Sequence, residues 1–80
     1  MKSLLKLLVT DNQQEICAVD LPVAASQDLR SLFPDPTVEK IQATGYDFDA
    51  IQNEVLKNGF GPSNLMDVTL GTRRYQVWIE

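Results

Sequence analysis

Apolar and polar positions alternate in four places along this chain, and a three-to-four-residue spacing interrupts them in the middle. From Lys2 to Val9 the pattern is strand-like, and the polar run Asp11-Asn12-Gln13-Gln14 reads as a turn. Glu15 to Leu21 (EICAVDL) reads as a second strand that Pro22 ends. Short spacing makes the pair a hairpin. Ser26 reads as an N-cap for a short helix, Gln27 to Phe33, with Asp28 suited to the positive end of the dipole and Pro34 and Pro36 as the stop.

Thr37 to Thr44 has the length of a short strand or a short helix. Asp35 as cap and Pro36 at the first position weigh towards helix, with Val38 and Ile41 on one face and Gly45 closing it. Asp47 caps the next predicted helix, which runs to Asn58. Phe48, Ile51 and Val55 form its apolar stripe, Leu56 widens it, and Asn58-Gly59 stops it. Gly61 to Asn64 is a loop. Leu65–Leu70 (LMDVTL) and Arg74–Ile79 (RYQVWI) are strands joined by Gly71-Thr72-Arg73. The order is hairpin, helices, hairpin. It predicts a single α+β domain over residues 1–80: an antiparallel sheet with two or three helices packed on one face. A hairpin followed by a helix resembles the opening of the ubiquitin-like β-grasp. That likeness is topological, spans the first thirty-odd residues, brings no residue motif, and implies no site.

Face-by-face reading then gives the main functional expectation, since strand side chains alternate with period two. Tyr75, Val77 and Ile79 share the side that belongs under the helices, so Trp78 stands on the outer face. Leu4 and Leu8 lie opposite Leu5, Leu7 and Val9, and Ile16 lies opposite Cys17, Val19 and Leu21. A helix-covered antiparallel sheet usually turns a polar face to water. Trp78, Leu4, Leu8 and Ile16 are therefore the candidate protein-binding residues, and an apolar patch of that kind marks an interface.

Composition adds mainly exclusions. At 80 residues the chain is one domain with a thin margin of stability, because a chain this short buries only about 60% of its unfolded surface. The opening MKSLLKLLVT is broken by Lys6 and lacks an A-x-A-like site, so it reads as a strand and not a signal peptide. With no membrane-spanning run and a single cysteine, the expected location is cytoplasmic. The net charge of −4 disfavours general affinity for nucleic acid or anionic membrane.

Candidate chemistry is sparse. There is no histidine, which removes Ser-His-Asp and Cys-His catalysis within this chain together with the commonest metal ligand. Cys17, alternating with Val19 and Leu21, reads as a buried structural thiol. Asp47 and Asp49 form a D-x-D pair that helix capping explains without a metal, and NGFGPSN lacks both phosphate-loop spacings. No cofactor or metal is expected. TRRYQVWIE is the one place where cations meet aromatics: Arg73 and Arg74 could clamp a phosphate beside a stacking Tyr75 or Trp78. The preferred reading is a small acidic, non-catalytic protein, regulatory or inhibitor-type. It would bind another protein, or a second copy of itself as a homodimer, through the outer sheet face or a strand edge. The alternative is a nucleic-acid-binding regulator using Arg73, Arg74 and Tyr75; enzymatic use of Asp47, Asp49 or Cys17 ranks last.

Overall fold

The structure is a computed structural model that describes residues 4–59 and 61–80. Lys2, which the sequence places at the start of the first strand, lies outside that range. The element order is β1 (Leu4–Asp11), β2 (Gln14–Pro22), two short 3-10 turns (Val23–Gln27 and Leu29–Leu32), α1 (Asp35–Ala43), α2 (Phe48–Lys57), β3 (Ser63–Leu70) and β4 (Arg73–Ile79). The four strands form one antiparallel sheet in the order β2-β1-β4-β3. This is the α+β architecture that the alternation predicts. β1 and β4 are central, and both hairpin turns lie at the same end of the sheet.

The β1–β2 turn is tighter than the sequence suggests. Asp11 pairs with Gln14, leaving only Asn12 and Gln13 in the loop, at φ 51° and 69°. Two successive left-handed residues are what a hairpin of type I′ needs to match strand twist. Arg73 likewise belongs to β4, so Gly71 and Thr72 form the second turn, with Gly71 at φ 64°. The two tips are joined: Asn12 N donates to Thr72 O (3.0 Å), and Thr72 Oγ1 donates to Asp11 Oδ1 (2.6 Å).

The core lies between the sheet and the helices, with Leu5, Leu29, Ile41, Phe48 and Val77 fully or almost fully enclosed. α2 is built as its sequence predicts: Asp47 Oδ1 accepts from the backbone N–H of Asp49 (3.0 Å) and Ala50 (3.1 Å). Thr37–Thr44 resolves as helix. Asp35 lies inside its first turn, with Pro34 at the capping position and no side-chain cap.

Three expectations are corrected. Ser26 is no N-cap. It sits buried within the first 3-10 turn, where its Oγ donates to Val23 O (2.7 Å). The predicted Gln27–Phe33 helix is instead a pair of 3-10 turns. Asp28, at φ −140° and ψ 80°, leaves helical geometry between them and divides the segment in two; the β-grasp likeness therefore stops at the hairpin. Leu56 is 56% exposed, because it lies outside the Phe48–Ile51–Val55 stripe by which α2 enters the core.

Candidate interaction surface on the open sheet face

On the two central strands the alternation is regular. Leu5, Leu7 and Val9 on β1, and Tyr75, Val77 and Ile79 on β4, enter the core. Lys6, Leu8 and Thr10, with Arg74, Gln76 and Trp78, therefore point to the side away from the helices. Trp78 stands directly opposite Lys6 on one side and Asn64 on the other, on a central strand near the end of the sheet away from the hairpin turns. It is half-buried among its neighbours, and its Nε1 donates to Glu80 Oε1 (3.1 Å). Leu8 faces Ala18 and Gln76 across the strands, and Leu4, 37% exposed, faces Pro22.

Lys6 lies between these apolar groups. Its Nζ meets Asp20 Oδ1 at 2.9 Å, and the side chain is only 21% exposed, so the aliphatic stem lies along the sheet. The Asp20 carboxylate holds the ammonium above its ordinary pKa. Towards the hairpin tips the face turns polar. Thr10, Thr69, Thr72, Arg74 and Gln76 line a shallow hollow of about 500 Å³. Arg74 clamps Asp67 with two bonds, Nε to Oδ1 (2.8 Å) and Nη2 to Oδ2 (2.7 Å). That pairing holds the Asp67 carboxyl below its usual range.

Of the predicted patch, the structure brings together Trp78, Leu4 and Leu8 but not Ile16. Ile16 is the extra residue of a β-bulge: Val9 pairs with Cys17, Thr10 with Glu15, and Ile16 has no partner. It is turned instead to the edge of an apolar groove of about 260 Å³ on the helix side, bordered also by Cys17, Leu32, Phe33 and Tyr75. Cys17 is on the helix side as its spacing implies, yet it is exposed. The 3-10 turns and α1 leave the turn end of β2 uncovered, so the expected burial does not occur.

The predicted nucleic-acid residues do not converge. Arg73 and Arg74 are adjacent in a strand and so project to opposite faces. Arg73 lies 3.6 Å from Asp11, and Arg74 is held by Asp67. Tyr75 is buried with its ring edge-on to Phe33 (centroids 5.7 Å apart), so no base can stack on it. Asp47 serves as the cap, and Asp49 pairs with Arg30 (3.3 Å). Among the described residues no three or more Asp, Glu or Cys side chains group as metal ligands, and no helix is long and apolar enough to cross a membrane.

The Lys6–Asp20 pair and the polar hollow are absent from the sequence reading. Both depend on register across strands, which for Lys6 and Asp20 the bulge in β2 shifts by one residue. Comparison of the chain with models of known families, with curated proteins and with solved structures found no match.

Proposed function

We propose that this chain is a small non-catalytic protein, regulatory or inhibitor-type, that works by binding another protein on the open face of its sheet. The observation that carries this reading is a half-buried tryptophan on a central strand, on a face that no helix of the described residues covers. Trp78 would be the anchor, with Leu4 and Leu8 beside it and the Thr10–Arg74–Gln76 hollow as a polar rim. Interface energy concentrates in central aromatic residues ringed by more polar ones. Each open-face residue named here is also free to change without opening the core.

Trp78 is the chain's only tryptophan, so it reports on its own contacts. The experiment retains partners from a lysate of the source cells on immobilised chain, identifies them by mass spectrometry, and repeats the binding with purified components. Trp78→Lys is expected to weaken binding by about 2 kcal/mol or more, with circular dichroism unchanged. The emission of Trp78 is expected to shift to shorter wavelength on binding. A partner held equally by Trp78→Lys and by Leu8→Asp overturns the open-face reading.

A further inference from the structure

We propose that the free edge of β2 pairs antiparallel with β2 of a second copy of this chain, about a twofold axis at Val19. This uses a different surface from the open face and names its partner. The direction of the backbone groups comes from the neighbouring ladder. Leu4 and Glu80 exchange both bonds, N to O at 3.2 and 3.0 Å, so Leu4 turns its N–H and C=O towards β4. By alternation Leu5, Leu7 and Val9 turn theirs towards β2, where they meet Leu21, Val19 and Cys17. Ala18 and Asp20 therefore point their N–H and C=O groups outward, along the sheet plane, and among the described residues no strand lies beyond them. The opposite edge differs: at β3, the Tyr46 hydroxyl donates to Leu65 O (2.8 Å) beside a second bulge.

The side chains of β2 select the register. With the axis at Val19, Ala18 and the second copy's Asp20 become a hydrogen-bonded pair, and their outward groups satisfy one another. On the helix side Val19 meets its own counterpart and Cys17 meets the second copy's Leu21. Asp20, already neutralised by Lys6 at 2.9 Å, faces an alanine. An axis at Asp20 would set two carboxylates directly opposite, which is destabilising. The bulge at Ile16 and the ring of Pro22 confine the pairing to Cys17–Leu21. It also covers what the helices leave open. Ile16, 52% exposed, and Cys17 lie at this edge on the helix side, where the second copy's Leu21 comes against them.

The test is sedimentation equilibrium of the full chain from micromolar to millimolar concentration. The expected result is a monomer–dimer equilibrium that Trp78→Lys leaves unchanged. Ala18→Pro removes only an outward N–H and keeps the β1–β2 ladder, so it is expected to weaken association about tenfold or more without changing circular dichroism. A second pair of variants is independent of that proline. A pair that is not hydrogen-bonded has its Cα atoms about 4.5 Å apart, within disulfide reach. In a Cys17→Ser background with oxidised glutathione as the electron acceptor, Val19→Cys is expected to form a disulfide-linked dimer, and Ala18→Cys to remain largely uncrosslinked. A monomer at every concentration, a dimer indifferent to Ala18→Pro, or equal crosslinking at positions 18 and 19 overturns the proposal.

Discussion

Tyr46 shows how one polar atom can be made to serve the core. Its ring lies edge-on to Phe48 with centroids 4.9 Å apart, and its hydroxyl donates to Leu65 O at 2.8 Å, where the β3 bulge leaves that carbonyl in need of a donor. Burial pushes the hydroxyl up to about 12, from an unfolded value near 10. The fold thus favours the neutral phenol. The contribution is fully present below about pH 10 and is lost as pH rises from there through about 12. Tyr46→Phe strands the Leu65 carbonyl and is expected to cost about 0.5–1.5 kcal/mol at neutral pH by urea denaturation. The gap between the two proteins should then narrow between about pH 10 and 12, because only the parent has this phenol to ionise. No cost at neutral pH contradicts the assigned bond, and a gap that stays constant through that range contradicts the effect of burial on the phenol.

At the scale of elements, the β1–β2 hairpin carries a local conflict that can be relieved. Gln13 occupies a left-handed conformation at φ 69° that glycine adopts without penalty. Gln13→Gly creates the Asn-Gly pair that type I′ turns prefer, and is expected to add about 0.5–1 kcal/mol, a rise of a few degrees in thermal midpoint. No gain would mean that the turn is of another type. The same hairpin shows where the sequence was legible. α2 was readable because Asp47, the Phe48–Val55 stripe and Asn58-Gly59 all agree. The faces of β1 and β4 were readable because their alternation is unbroken. Ile16 was misplaced because parity fails at a bulge, although a signal existed. A straight ladder from a two-residue turn would pair Val9 with Ile16 and Leu5 with Asp20, carrying a carboxylate to the core side. One inserted residue turns Cys17, Val19 and Leu21 inward instead. The 3-10 turns were not legible in the same way, since Ser26 and Asp28 satisfy capping rules whatever the helix type. Arg73 and Arg74 were grouped by composition alone, when strand alternation already separates them.

For the whole molecule, one sheet does three jobs: one face holds the core, the other presents Trp78, and the β2 edge offers outward backbone groups. Amide exchange separates these roles residue by residue. β1 and β4 are bonded on both sides, so their amides should exchange slowest. Along β2 the pattern should alternate. Val19 and Leu21 donate into β1 and are protected, whereas Ala18 and Asp20 face outward and exchange quickly in dilute solution. As concentration rises and a second copy seats on the edge, protection should appear at Ala18 and Asp20, with little change at Val19. Binding of another protein on the open face would leave those two amides fast, because side chains and not β2 backbone make that contact. Amide exchange followed by NMR at two concentrations reads both. If Ala18 and Asp20 are as slow as Val19 in dilute solution, the outward orientation of that edge is wrong. If they stay fast at high concentration, the edge remains free and Trp78 is left as the surface on which function rests.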